Sequence, residues 1–203
     1  MSWRSAIPWS LVIFRLLLGP ALAIAARRVS GPELWIGVLF LTGPLSDIFD
    51  GILARRLGCA TPSLRIADTV VDITFYGFVL MAVVELNWPA IRARIWLIAA
   101  VAALEAARLA FDLVKFRRIA SYHSYTAKLW GLLLWLAFGV LLCFNQGAWL
   151  LTIALVWGIV CELEGLAFSA ILPEWVHDVK TLPRAIAIRR EIAEKKMAQS
   201  PVQ

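Results

Sequence analysis

Four aspartates stand close together in a chain that is otherwise strongly apolar: Asp47, Asp50, Asp68 and Asp72. The first two are three residues apart and the last two are four apart, so on helices each pair projects from one face. An ionised aspartate at the centre of a bilayer costs about 2.5–3.5 kcal/mol on insertion scales, so four together require an aqueous face and a compensating cation. This cluster is therefore the first candidate for a functional site.

The chemistry that such a cluster favours is phosphoryl transfer. Carboxylate oxygens are hard ligands that suit Mg²⁺ or Mn²⁺. Metal ions bridged by aspartates commonly clamp phosphate or diphosphate groups and stabilise both the attacking and the leaving oxygen. Gly51 and Ala54 stand beside the first pair, and small residues let helix backbones approach closely in a membrane.

The spacing of these residues resembles the signature of the CDP-alcohol phosphotransferase (CDP-alcohol phosphatidyltransferase) family. That signature reads D-x-x-D-G-x-x-A-R and, after a short spacer, G-x-x-x-D-x-x-x-D, and its matches here are Asp47, Asp50, Gly51, Ala54, Arg55, Asp68 and Asp72. Leu64 stands where the family has its second glycine. Pro8 and Arg15 resemble the family's amino-terminal P-N-x-x-T-x-x-R element, in which Trp9 and Val12 here replace Asn and Thr.

The resemblance implies an enzyme of phospholipid biosynthesis that transfers a phosphatidyl group from CDP-diacylglycerol to an alcohol and releases CMP. It implies a pair of Mg²⁺ or Mn²⁺ ions held by the four carboxylates, Asp47, Asp50, Asp68 and Asp72. Asp72 would also act as the general base on the acceptor hydroxyl. The nucleotide would bind at Asp50, Gly51, Ala54 and Arg55.

Composition places the chain in a membrane. Of its 203 residues 61% are hydrophobic, and ten are tryptophan. Apolar runs near the length of about 20 residues that a spanning helix needs occur at Ile7–Ala26, Leu34–Ala54, Ile66–Val84, Ile95–Leu113, Lys128–Asn145 and Trp149–Leu172. The sequence therefore predicts an all-α, polytopic membrane protein with about six transmembrane helices in one bundle. Since no linker or repeat divides it, we expect one domain over 1–203.

Basic residues predict the orientation. Most of the 20 Lys and Arg fall on the cytoplasmic side if the amino terminus is inside, whereas Arg27, Arg28, Arg92 and Arg94 fall outside. This distribution predicts a bacterial-type inner-membrane protein whose aspartate cluster faces the cytoplasm. The tail over 183–203 is basic and cytoplasmic in this topology, and it is interpreted either as a helix on anionic lipid or as a signal that sets topology.

Three basic residues are candidates to hold a phosphorylated acceptor: Arg117, Arg118 and Lys128. The ordinary excess of positive charge in cytoplasmic loops explains them equally well. Lys128 also resembles the lysine that often opens the family's fifth membrane helix. A cationic or polyhydroxylated acceptor would instead favour a contact with Glu162 or Glu164.

Other charged residues fall within the predicted spans. Glu105 and Arg108 are three residues apart and are interpreted as a mutually neutralising pair, in preference to a role in substrate binding. Asp112, on a neighbouring turn, could extend this pair. Glu162 and Glu164 cannot share a helical face, and one of them is expected to pair with an arginine such as Arg15.

Two other functions fit parts of the pattern. A catalytically inactive family member that binds nucleotide or lipid would fit the departure at Leu64. A cation-coupled transporter would also bury carboxylates, although it favours midplane sites and internal repeats. The net charge of +6 requires no nucleic-acid partner, because anionic lipid satisfies it. Homodimerisation is an expectation from the family resemblance.

Overall fold

The computed structural model describes residues 3–57, 61–120, 122, 124–144, 146–176 and 178–199. Within the helices, the side chains of residues 3–5, 50, 51, 54, 55, 62, 65 and 196–199 are not described. The described residues form seven helices and no strand: α1 (Trp3–Arg28), α2 (Leu34–Arg56), α3 (Pro62–Arg92), α4 (Ile95–Phe116), α5 (Tyr125–Phe144), α6 (Ala148–Ile171) and α7 (Leu182–Gln199). The first six follow the six predicted apolar runs. Asn145, the predicted end of the fifth run, lies outside the described residues.

The predicted fold class, an all-α polytopic membrane protein, is confirmed. Among the described residues four segments are long and apolar enough to cross a membrane: Ala6–Arg28, Ile66–Arg92, Tyr125–Phe144 and Ala148–Ile171. A shorter apolar run occupies Leu34–Phe49 of α2. In α4 the apolar sequence is interrupted by Glu105, Arg108, Asp112 and Lys115. The prediction of about six spans is compatible with this set.

Contacts between Cα atoms divide the chain into two compact units. The first comprises Met1–Ala93 and Ala137–Ala148, and the second comprises Arg94–Leu136 and Trp149–Gln203. In the first unit α1 packs against both α2 and α3. Gly43 permits close packing there, because a Cβ atom at this position would lie only 2.2 Å from the Phe75 ring of α3.

The start of α3 is determined by local sequence. Thr61 caps the helix, since its hydroxyl accepts a hydrogen bond from the Leu64 backbone N–H at 3.2 Å. Pro62 follows as the first helical residue, where its missing N–H costs nothing. Asp68 and Asp72 therefore stand in the early turns of α3, one above the other on one face.

The second unit contains α4, most of α5, α6 and α7. A buried apolar cluster of this unit consists of Ala120, Tyr122, Phe168, Leu172, Val179 and Ala185. The predicted helix in the basic tail is present as α7. Its apolar residues Leu182, Ala185 and Ile188 pack on this cluster, so α7 is docked onto its own unit. Residues 200–203 of the tail lie outside the described part.

Candidate metal centre

Three carboxylates of the first unit surround one buried guanidinium. Arg15 extends from α1, and its side chain is 1% exposed. Its Nη1 donates to Oδ1 of Asp47 at 2.7 Å, and its Nη2 donates to Oδ1 of Asp68 at 2.7 Å. Nη1 also donates to Oδ1 of Asp72. The three aspartates are between 29% and 43% exposed, so the carboxylates lie at the surface of the unit whereas the arginine does not.

An apolar cluster lies one turn before Arg15 along α1. Val12 lies three residues before Arg15 on α1 and is buried in a cluster with Leu64 and Val71 of α3. Trp9 packs against the same cluster. Trp9, Val12 and Leu64 are the positions at which the chain departs from the resemblance described above. The three departures thus belong to one apolar contact between α1 and α3.

The carboxylate oxygens of Asp47, Asp68 and Asp72, which we call the triad, suit a hard divalent cation. One carboxylate oxygen from each of Asp47, Asp68 and Asp72 can be chosen so that all three lie within 4.8 Å of one another. Three carboxylates face one guanidinium, so two negative charges remain among these four side chains. Mg²⁺ and Mn²⁺ prefer such oxygen ligands and would balance that charge.

The part of the chain that contains Arg15 and the triad matches a known protein family. The CDP-alcohol phosphatidyltransferase family model matches residues 5–160, which include Arg15 and all three aspartates. The chain belongs to the CDP-alcohol phosphatidyltransferase family. It is therefore an integral membrane transferase of phospholipid synthesis, from a family that is typically metal-dependent. Comparison with curated proteins and with solved structures finds no match.

Four further predicted site residues of the transferase lie on α2. The backbones of Asp50, Gly51, Ala54 and Arg55 are helical, and Asp50 stands one turn after Asp47. Their side chains lie outside the described part of the structure. The predicted roles of these four residues in binding metal and nucleotide stay predictions.

Tyr76 is a neighbour of the triad that sequence reasoning missed. It follows Asp72 by one turn on α3 and interacts electrostatically with Asp72, Asp47 and Arg15. Its spacing of four residues from Asp72 was the available signal, because such residues share a helical face. A phenol in this position can offer a hydrogen bond to a phosphate oxygen.

The three predicted acceptor-binding residues of the transferase have separate surroundings. Arg117 ends α4 in the left-handed conformation, with φ of 56°. The Arg118 guanidinium lies over the Trp175 ring at 5.8 Å, and the Lys128 ammonium lies over the Tyr125 ring at 5.8 Å. These contacts give each cation its own aromatic or helix-end neighbour, and their common role in holding a phosphate stays a prediction.

The prediction that Glu105 and Arg108 neutralise each other was wrong about the principal partner. Arg108 Nε donates to Glu162 Oε2 of α6 at 2.8 Å, and Nη1 lies 3.7 Å from Asp112 Oδ2. Glu105 affects Arg108 only as a more distant charge. One glutamate of α6 does pair with an arginine, as expected, but the arginine is Arg108 and not Arg15.

Glu164 has a different partner from Glu162. Its carboxylate accepts a hydrogen bond from the hydroxyl of Thr126 on α5. The two glutamates are two residues apart, so they project in different directions from α6. That the two glutamates have separate partners, as expected from this spacing, is confirmed.

Proposed function

We propose that this transferase moves the phosphatidyl group of CDP-diacylglycerol to an alcohol, releases CMP and uses Mg²⁺ or Mn²⁺. The observation that carries the proposal is the convergence of Asp47, Asp68 and Asp72, whose ligand oxygens lie within 4.8 Å of one another. Such a set matches the chemistry of diphosphate, whose charge must be neutralised before an oxygen nucleophile can approach. The four aspartates of the signature, including Asp50, would hold a pair of ions.

The reaction is a displacement at the phosphorus that bears diacylglycerol. The acceptor hydroxyl oxygen forms a bond to this phosphorus, and the bond from phosphorus to the CMP oxygen breaks. CMP leaves with the electron pair of that bond, and the hydroxyl proton passes to Asp72. When bound, the divalent cation would supply electrophilic stabilisation of the phosphate charge.

The contact with Arg15 leaves one carboxylate oxygen of Asp72 for the role of base. Arg15 donates to Oδ1 of Asp72, so Oδ2 is the oxygen that we assign to the acceptor proton. Arg15 also touches Asp47 and Asp68, so it acts as a positioning residue that sets the spacing of the three carboxylates. The small residues Gly51 and Ala54 and the guanidinium of Arg55 would receive the cytidine diphosphate.

The membrane setting suits a lipid-linked donor. The acyl chains of CDP-diacylglycerol can remain in the bilayer while the diphosphate reaches the solvent-exposed carboxylates. We propose that this site faces the cytoplasm of a bacterial-type inner membrane, because most basic residues fall on that side. Homodimerisation through the membrane helices belongs to the same proposal.

Leu64 supplies a physical reason to prefer a catalyst over an inactive binder. The departure from glycine at this position was the ground for the inactive alternative. Leu64 is 7% exposed and shares a buried cluster with Val12 and Val71, so its side chain has a packing role. The aspartates of the described triad are all present, and unneeded charges of this kind are costly in a membrane.

The test is CMP release by the purified protein in lipid. The protein is given CDP-diacylglycerol with Mg²⁺ or Mn²⁺, and one alcohol is added at a time from a set that includes glycerol 3-phosphate, inositol, serine, choline and ethanolamine. We expect CMP release with one acceptor, loss of release with a chelator and recovery when the metal is restored. Metal-dependent donor binding without CMP release for any alcohol would support the inactive alternative.

A further inference from the structure

A cavity of about 170 Å³ lies in the first unit, between α1 and α3 and away from the triad. Its lining consists of Ala23, Arg27, Met81, Val84 and Glu85. At about 1.5 Å per residue, Arg27 lies about 18 Å beyond the triad's arginine along the axis of α1. The cavity is therefore distinct from the candidate metal centre.

The two charged side chains of this cavity do not neutralise each other. Arg27 comes from α1 and Glu85 from α3, and both are exposed. Neither side chain forms an ion pair or a hydrogen bond with another residue in the part of the chain that the structure describes. Since unpaired charges are costly in a membrane protein, a ligand that brings one charge of each sign would be favoured.

Glu85 occupies a part of α3 that disfavours a negative charge. The backbone of α3 is non-helical at Asn87, with φ of −130° and ψ of 31°, so Glu85 lies in the last turn before this kink. Pro89 has no N–H, so the carbonyl of Glu85 lacks its regular helical donor. The carbonyl end of a helical segment attracts cations and repels carboxylates. The Glu85 side of the cavity therefore favours an ammonium group, which donates hydrogen bonds to such oxygens.

Arg27 favours the opposite charge on the α1 side of the cavity. The guanidinium is a planar donor that binds phosphate through two parallel hydrogen bonds. Both Arg27 and Arg28 belong to the last turn of α1, but Arg27 lines the cavity and Arg28 does not. A phosphate at Arg27 and an ammonium at Glu85 would together satisfy both charges.

The apolar surroundings of the cavity suit a lipid. Ile24 precedes Arg27 by one turn and is 55% exposed, and Met81 precedes Glu85 by one turn and is 47% exposed. Trp88 follows Glu85 by one turn and is 50% exposed. Exposed tryptophans of spanning helices commonly lie at the level of the lipid headgroups. Acyl chains can therefore lie along Ile24 and Met81 while a headgroup reaches the charged side chains.

We propose that this cavity binds the headgroup of a membrane phospholipid that carries both a phosphate and a primary ammonium group, as phosphatidylethanolamine does. The phosphate accepts from the Arg27 guanidinium, and the ammonium donates to the Glu85 carboxylate. Pockets for drug-sized ligands occupy about 300–1,000 Å³, so a cavity of this size holds the headgroup alone. An anionic lipid without an amine leaves Glu85 unpaired, and a quaternary ammonium has no N–H to donate. In the orientation proposed above, the cavity lies at the outer leaflet.

The test is the binding of short-chain phospholipids to the purified full chain in an uncharged detergent. CDP-diacylglycerol and metal are omitted, so the outcome does not depend on phosphatidyl transfer. Calorimetric titration compares the dihexanoyl forms of phosphatidylethanolamine, phosphatidylcholine and phosphatidylglycerol, with free phosphoethanolamine as a water-soluble probe. We expect saturable binding of phosphatidylethanolamine and about tenfold weaker binding of the other two lipids, each of which loses a charge-assisted hydrogen bond. Free phosphoethanolamine should bind more weakly as well, because it has no acyl chains.

Matched variants locate the site. Arg27→Gln and Glu85→Gln each remove one charge and should weaken the binding of phosphatidylethanolamine by about tenfold. Arg28→Gln removes a charge from the same turn of α1 outside the cavity, and it should bind like the wild type. All three side chains are exposed, so none of the variants should lower the melting temperature.

Four results would overturn the proposal. They are the absence of saturable binding, equal affinity of the three variants, binding of phosphatidylglycerol or phosphatidylcholine as tight as that of phosphatidylethanolamine, and binding of free phosphoethanolamine as tight as that of the lipid.

Discussion

Arg15 Nη1 lies 2.7 Å from Asp47 Oδ1, although the two residues are 32 positions apart and stand on different helices. The guanidinium is buried, whereas the carboxylate is 43% exposed. This geometry directs a buried positive charge towards a solvent-accessible oxygen. The aspartates of α2 and α3 are thereby held together by a residue of α1.

Replacement of Arg15 by Gln should destabilise the first unit. Removing one partner of a buried ion pair costs about 3–5 kcal/mol, and the partial exposure of the carboxylates places this case at the lower end. Thermal melting in a chelator should show the loss, and added Mg²⁺ should restore part of it because the cation replaces the missing charge. Arg184→Gln is the control, since the Arg184–Glu191 pair is exposed and is worth about 0–1 kcal/mol. Equal melting of the two variants would contradict this role of Arg15.

Leu64 should matter for packing more than for chemistry. Leu64→Ala leaves a void beside Val12 and should cost about 2–5 kcal/mol, as for other buried leucines. Leu163→Ala, at a position 51% exposed, is the matched control and should melt near the wild type. Leu64→Gly restores the residue expected from the family signature and should likewise lower the melting temperature. A faster CMP release by Leu64→Gly with unchanged melting would show that Leu64 impairs catalysis.

The positions of the helices were largely predictable from the sequence, but the ion pairs were not. The starts of α2 and α4 coincide with the predicted runs at Leu34 and Ile95, because hydropathy depends on local sequence alone. Spacing within one helix suggested that Arg108 pairs with Glu105. Its main partner is Glu162 on α6, and spacing cannot reveal a neighbour contributed by another helix.

The members of the triad were predictable from the sequence, but their arrangement around Arg15 was not. The motif placed Asp47, Asp68 and Asp72 in one site because all three belong to one signature. The position of Arg15 at their centre depends on how α1 packs on α3, and the sequence pattern alone did not show this. The cavity of the first unit depends likewise on tertiary packing, since its charged residues come from α1 and α3.

Tyr76→Phe should slow the reaction without changing stability. The variant removes only the phenolic oxygen, which stands one turn from Asp72 and interacts with its charge. A hydrogen bond to a charged group contributes about 1.5–3 kcal/mol, so we expect at least about a tenfold loss of CMP release at subsaturating CDP-diacylglycerol. Tyr125→Phe removes the hydroxyl of an exposed tyrosine and should leave the rate unchanged. Equal rates for the two variants would exclude this role of Tyr76.

Tyr122 should make stability depend on pH in the alkaline range. It lies between α4 and α5, where burial raises its pKa above the ordinary value of 10.0; the charge of Asp112 adds to this rise, and the hydrogen bond with Ser169 opposes it. The folded protein therefore holds the phenolic proton more tightly than the unfolded chain. The stability that this group contributes is present below about pH 10 and is lost as the pH rises further.

Melting curves on either side of about pH 10 test this dependence. Tyr122→Phe should reduce the alkaline fall in melting temperature, because it removes the titrating hydroxyl. Tyr125→Phe is the control and should retain the fall seen in the wild type. The account of Tyr122 fails if its variant loses stability with pH as steeply as this control.

CMP release by Asp72→Asn, measured beside donor binding, tests the central claim most directly. The substituted amide would keep the size of the side chain but could not accept the acceptor proton, so we predict that turnover is lost while CDP-diacylglycerol still binds in a metal-dependent way. Asp178→Asn is the control, because Asp178 is exposed and has φ of 58°, a conformation that asparagine tolerates. Turnover by Asp72→Asn equal to that of Asp178→Asn would contradict the assignment of Asp72 as the base in an aspartate-held metal site.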